Sequence, residues 1–172
     1  MAVLSLLHSG AIFGFFYAWV CSTMWGLDAA DPDVAISAMQ AMNASIRNPI
    51  FAQAFFGTPL LLLAAALVAW NGKERRAALF FGSGGLLYVL GAMVPTMAFS
   101  VPLNETLAVV ETPLGAERAQ GVWRDYSVPW QLWNALRAVA AGIVLLLAGL
   151  GVLSLDKLAK SSCLPEDEPL CS

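Results

Sequence analysis

Charge is scarce in this sequence, and its absence comes in blocks. Only 12% of the 172 residues are Asp, Glu, Lys or Arg, against about 25% in an ordinary soluble domain. Met1 to Leu27, Pro49 to Gly72 and Ala77 to Asn104 hold none. Histidine occurs once, at His8, and cysteine three times, at Cys21, Cys163 and Cys171. No His, Cys or carboxylate set has the spacing of a metal centre. No basic stripe interleaved with aromatics is present, which argues against a nucleic-acid partner. There is no nucleotide-binding glycine loop, since Gly82 to Gly85 lies within an apolar block and reads as close packing. There is no G-x-S-x-G nucleophile elbow either.

What the sequence has instead is apolar length: 59% of the residues are hydrophobic. A soluble chain of this size has no interior large enough to hide that surface. Each uncharged block reaches the ~20 residues needed to cross a bilayer as a helix. A fourth run, from Val128 onward, carries Arg137 as its only charge before Asp156. The expected fold is all-α, a four-transmembrane-helix antiparallel bundle with short outer amphipathic helices. The spans are expected near residues 3–25, 50–70, 77–99 and 129–155, with outer segments at 28–49 and 100–128. Residues 1–155 form a single membrane domain, and the acidic, proline-containing residues 156–172 a disordered cytoplasmic tail. The first apolar run has no Lys or Arg before it and exceeds a signal-peptide core, so it reads as retained.

Lys73, Arg75 and Arg76 in the tight turn after the second span, with Lys157 and Lys160 after the fourth, place that side and both termini in the cytoplasm. The expected location is a bacterial inner membrane. On the other side, Asp31 or Asp33 is placed to cap a short helix in which Val34, Met39, Met42 and Ile46 recur at helical spacing. That helix should end before Asn48-Pro49. Gly10 and Gly14 in the first span, and Gly84, Gly85 and Gly91 in the third, are close-packing positions. Pro95 should loosen the outer end of the third span. One or two short helices are expected between Val101 and Tyr126, with a break near Pro113 to Gly115. Pro129 then suits the first turn of the fourth span.

Arg137 is the residue that asks for an explanation. A guanidinium keeps its proton, and hydrocarbon does not solvate it. On the helical repeat, Trp130, Trp133, Asn134 and Arg137 share one face. Two placements stay open. The side chain extends its stem so that the head reaches the interface, with the two tryptophans as an aromatic belt. Alternatively it turns into the bundle and meets polar groups of the outer segments: Asn43, Asn48, Asn104, Glu105, Asn134 and Tyr126. In the second case, indoles, amides and a cation surround a flat, partly polar ligand and stabilise a developing oxyanion on it. Other candidates are weaker. His8, near the cytoplasmic end of the first span, reads as a helix–helix hydrogen-bonding group, and Cys21 as packing. Cys163 and Cys171 sit eight apart in the tail and match no standard metal spacing. Asn43 and Asn104 each begin an N-x-S/T sequence, a weak glycosylation pattern.

The strings "AMQAMNASIRNPIF", "FSVPLNETL" and "PWQLWNALR", in that order around four apolar spans, resemble the anthrone oxygenase-like family of small four-helix integral membrane proteins, many of them bacterial. The resemblance covers about Leu6 to Gly149. Gln40, Asn43, Asn48 and Pro49, then Pro102, Leu103 and Asn104, then Trp130, Trp133, Asn134 and Arg137 are the matching positions. Histidine is frequent between the last asparagine and arginine in that family, whereas this chain has Ala135, so a proton-moving histidine there has no counterpart here.

Fungal members oxidise anthrones to anthraquinones with molecular oxygen, and the resemblance implies chemistry of that kind. Arg137 and Asn134 would hold the enolate oxygen, while Tyr126, Glu105 or water would accept the proton. Asn43, Asn48, Asn104, Trp130 and Trp133 would bind the substrate. Molecular oxygen would be the co-substrate, with no resident cofactor or metal. Two functions remain open. One is a membrane oxygenase or oxidoreductase acting on a flat, lipid-soluble phenol, anthrone or quinol. The other is a non-enzymatic protein that binds a lipid or quinone, or serves as an assembly partner. The partners expected are the lipid bilayer and a lipid-soluble aromatic small molecule, with a homo-oligomer left open.

Overall fold

The computed structural model describes the backbone of residues 1–161 and the side chains of residues 1–155. Five helices account for it. Helix α1 (Ala2–Asp28), α3 (Pro49–Asn71) and α4 (Arg75–Ala108) are long and apolar enough to cross a membrane, as is the portion Ala116–Leu155 of α5. Helix α5 runs on to Ser161. The short α2 (Pro32–Ser45) lies between the first two spans. Neighbours in the bundle are α1 with α3, α3 with α4, α4 with α5 and α5 with α1, which closes an antiparallel ring of four. No strand occurs among the described residues.

Large apolar side chains cover the outside of the ring: Leu60, Leu67, Leu86, Leu132 and Leu146 are all exposed. An apolar surface this extensive belongs in hydrocarbon rather than water. The chain is an integral membrane protein.

Two of the prolines inside spans shape the bundle. Pro59 lacks the N–H that would bond the Phe55 carbonyl one turn back. That carbonyl instead accepts from the buried Tyr88 hydroxyl of α4, at 3.0 Å. The broken bond of one helix thus becomes a cross-link to the next. In α4, Pro95 is flanked by π-helical turns at Val89–Met93 and Thr96–Ser100. The loosening expected there takes the form of widened turns, and the helix continues through them to Ala108.

Two apolar cores follow. One lies within the ring, around Phe16, Phe55, Phe81, Tyr88 and Val144. The other forms a cap at the end opposite the Lys73–Arg76 turn, where Ile36 and Met39 of α2 pack on Leu107, Trp123, Tyr126 and Trp130. Polar residues fasten the cap. Asp31 caps α2 through the backbone N–H groups of Asp33 and Val34. Asp33 accepts from the backbone of Leu114 and Gly115, at 2.8 and 3.3 Å. Gln40 donates to the carbonyls of Leu107 and Val110, satisfying the end of α4. Asp28 accepts from Trp123 Nε1 at 2.8 Å and from Gln131 at 2.9 Å.

Several expectations change. Val34 is exposed, and Ile36 takes its place on the buried face of α2. The fourth span does not begin at Pro129: one continuous helix enters the cap at Ala116, with Pro129 in its interior. The cap supplies tertiary packing on both sides of that proline, through Trp123, Tyr126 and Trp130, so the lost backbone bond does not end the helix. Residues 156–161 continue α5, and the rest of the expected tail, Cys163 and Cys171 included, lies outside the described residues. His8 keeps its expected role: in the second turn of α1, it meets Gln53 of α3 at 3.0 Å, a hydrogen bond between helices.

Close helix approach falls elsewhere than at Gly10 and Gly14. A Cβ on Gly14 would meet nothing within 4 Å, whereas one on Gly151 would lie 2.7 Å from the buried Phe81 ring. Gly151→Val is therefore expected to destabilise the bundle by about 1–3 kcal/mol through overpacking. Gly14→Val should be nearly neutral. Thermal unfolding of both variants in detergent checks the difference.

Candidate functional site

Between the ring core and the cap lies a cavity of about 480 Å³, within the ~300–1,000 Å³ of small-molecule sites. Phe15, Phe16, Trp19, Phe51 and Phe55 give it aromatic walls. Its polar lining comes from Thr96, Ser100, Asn104, Asn134 and Arg137, with Asn43 below the cap and Arg47 and Asn48 at its exposed rim. Among the described residues, no carboxylate, histidine or cysteine lines it.

Arg137 turns inward. It is only 4% exposed, which decides between the two placements: its head does not reach an interface. Nε donates to the Trp133 carbonyl one turn back, at 3.4 Å. Nη1 donates to Thr96 Oγ1 at 3.1 Å and Nη2 to Asn134 Oδ1 at 3.3 Å. The guanidinium carbon stands 5.0 Å from the Phe16 ring centroid and 5.6 Å from that of Trp130. Among the described residues the one ion pair is Arg124–Asp125 at the surface. The buried cation is therefore held by neutral oxygens and π faces, with no carboxylate to balance it. A guanidinium has five N–H groups, and three have protein partners here. One on each terminal nitrogen remains for a ligand oxygen.

The partners are themselves fixed. Asn134 donates through Nδ2 to the Phe16 carbonyl of α1 at 3.1 Å, so its oxygen is the atom that faces Arg137. Thr96 Oγ1 donates to the Ala92 carbonyl at 2.7 Å, which leaves its lone pairs for the guanidinium. Under the cap, Asn104 Oδ1 accepts from Tyr126 at 2.8 Å and from Trp130 Nε1 at 3.1 Å. Tyr126 in turn accepts from Asn43, at 3.3 Å. The Asn104 amide nitrogen has no hydrogen-bond partner among the described residues.

Of the residues picked from the sequence, Asn43, Asn48, Asn104, Trp130, Asn134 and Arg137 line the cavity, and Tyr126 and Trp133 do not. Tyr126 stands behind Asn104. Trp133 stacks on Phe99, with ring centroids 3.7 Å apart and planes 5° from parallel. Asn48 is exposed and both ends of its amide are engaged, Oδ1 by the Phe51 N–H and Nδ2 by the Ser45 carbonyl. It caps α3. Glu105 is exposed, and Ala135 is half-buried outside the cavity lining. Of the anticipated partners of Arg137, only Asn134 hydrogen-bonds to it. Thr96, Ser100 and Phe16 were not anticipated. They come from α4 and α1, and the inward rotation of Thr96 and Ser100 depends on a π-helical turn that helical periodicity does not foresee. A proline one residue before a Thr-x-x-x-Ser pair was the available signal.

The family model described as anthrone oxygenase matches residues 49–147. That stretch begins at Pro49, the first residue of α3, and includes Thr96, Ser100, Asn104, Asn134 and Arg137. No curated protein and no solved structure matches the chain significantly.

Thr96→Val leaves a buried Arg137 N–H without its acceptor, at a cost of about 1–3 kcal/mol. Thr96→Ser should retain most of the parent's stability. Thermal unfolding of the two variants in detergent distinguishes a charge held by this hydroxyl from one that is not.

Proposed function

The chain belongs to the anthrone oxygenase family, and from that premise we propose that it oxidises a flat, lipid-soluble phenol, anthrone or quinol with molecular oxygen. The observation that carries the reading is a buried guanidinium without a carboxylate partner, facing an aromatic-walled cavity. A buried charge of this kind is costly unless balanced. An enolate or phenolate oxygen balances it, and the rings beside it receive the apolar body of the ligand.

For an anthrone the steps are these. A proton leaves the ring CH2 carbon, and the enolate oxygen comes to rest on Arg137. Asn134, joined to Phe16 on α1, holds the guanidinium in place. The electron-rich carbon bonds to molecular oxygen, and a proton converts the product to a hydroperoxide. Loss of the second hydrogen as a proton, with departure of the distal oxygen as hydroxide, leaves a carbonyl, and the two fragments combine to water. In sum, CH2 and O2 become C=O and H2O. The carbon loses four electrons and oxygen gains them, so the scheme uses no resident cofactor. Because no carboxylate or histidine among the described residues lines the cavity to accept a proton, the first proton passes to water at the rim near Arg47 and Asn48. Tyr126 is a positioning residue, orienting Asn104. The Lys73–Arg76 turn and both termini face the cytoplasm in this reading, which puts the cavity near the opposite membrane surface.

The same lack of a proton-accepting side chain favours a second reading, a protein that binds a quinone or lipid without converting it. Oxygen uptake separates the two. Adding anthrone to the purified chain in detergent should raise uptake above the uncatalysed rate. Arg137→Leu should lower the protein-dependent part by about 10²-fold or more, and Ala135→Ser should retain it. Anthrone binding with no uptake would leave the second reading. Equal uptake by the parent and Arg137→Leu would remove Arg137 from the chemistry.

A further inference from the structure

We infer that Ser100 is a second ligand anchor, hydrogen-bonding an oxygen substituent placed across one ring from the oxygen held by Arg137. The inference rests on the cavity reading above. Ser100 is 2% exposed, and its Oγ is the buried side-chain polar atom without a hydrogen-bond partner among the described residues. It lines the cavity.

Its isolation has a local cause. Several other hydroxyls in the helices return a hydrogen bond to a carbonyl about one turn back: Ser9 to Ser5, Thr58 to Ala54, Thr96 to Ala92, Thr106 to Pro102. Ser100 closes the π-helical turn Thr96–Ser100, in which the Thr96 carbonyl accepts from the Val101 N–H. The Ser100 hydroxyl does not bond back to it. A buried hydroxyl left in this state is rare in a folded protein and calls for a partner of another kind.

Position defines that partner. Ser100 follows Thr96 by four residues around one π-helical turn, and both side chains line the cavity, so they are neighbours along one wall. Thr96 holds Arg137 Nη1. A ligand whose anionic oxygen meets the guanidinium therefore presents the opposite side of its ring, one turn of α4 toward the cap, to Ser100. The spacing suits two oxygens at opposite positions of a six-membered ring, as in a hydroquinone, its monoether or a quinone. Thr96 cannot do the same work, because its hydroxyl hydrogen is engaged by Ala92 and its oxygen by Arg137.

The test uses two probes of nearly equal shape, 4-methoxy-1-naphthol and 4-ethyl-1-naphthol. They differ in the oxygen across the ring from the phenol. Binding is measured by titration calorimetry on the full chain in nanodiscs, under argon so that nothing is oxidised. The parent should bind the methoxy probe about threefold to tenfold more tightly, the worth of one hydrogen bond. Ser100→Ala should bind both equally, with unchanged affinity for the ethyl probe, and Ser100→Thr should keep the preference. Because the alanine variant deletes an unsatisfied buried hydroxyl, it should melt no lower than the parent. A preference that survives Ser100→Ala, no preference in the parent, or a lower melting temperature for Ser100→Ala overturns the assignment. Arg137→Leu should weaken both probes together. If it does not, or if the parent binds neither probe, it is the cavity reading that fails rather than the role of Ser100 alone.

Discussion

A positive charge that is buried without a negative one organises this molecule. Inside a bundle facing hydrocarbon, a guanidinium is tolerable only if its N–H groups are aimed at oxygens and its faces at aromatic rings. Arg137 meets both requirements with groups from three helices: the Trp133 carbonyl and Asn134 on its own helix, Thr96 on α4 and Phe16 on α1. The charge therefore ties the cap end of the ring together, and the cavity beside it is where its remaining hydrogen-bonding capacity is available to a ligand.

Irregular backbone makes that arrangement possible. Pro59 gives up a bond to the Phe55 carbonyl, and Tyr88 takes the vacated place. Pro95 interrupts α4, and the π-helical turn after it brings Thr96 and Ser100 to the cavity wall. Such departures are affordable in a membrane only where the freed groups find partners inside the protein. The Ser100 side-chain hydroxyl has no such partner among the described residues, and it sits at the cavity wall.

The cap serves the site indirectly. Asp28, Asp33 and Gln40 bind helix ends and loop backbone to one another, so α2 closes over the cavity as part of a packed unit. Asn43 and Tyr126 carry that order down to Asn104 on the cavity wall. Several polar residues that stand out in the outer segments, Asn48 and Tyr126 among them, thus contribute by fixing backbone or neighbours rather than by facing the cavity with free polar groups.

The four spans, the antiparallel order, the capped outer helix and the break near Pro113 were legible in the chain itself. Blocks without charge, a tight turn and an aspartate before a helix act locally, and each states its consequence within a few residues. So did the face shared by Trp130, Asn134 and Arg137, since helical periodicity is also local. What the sequence could not decide was where Arg137 points and what meets it. Interface and interior are both sterically open to a side chain that long, and the choice depends on Thr96 and Phe16, which lie 41 and 121 residues away in the chain. Only the packed bundle brings those groups within hydrogen-bonding and π-contact range, and only there does a proline-induced turn determine which hydroxyls face the cavity.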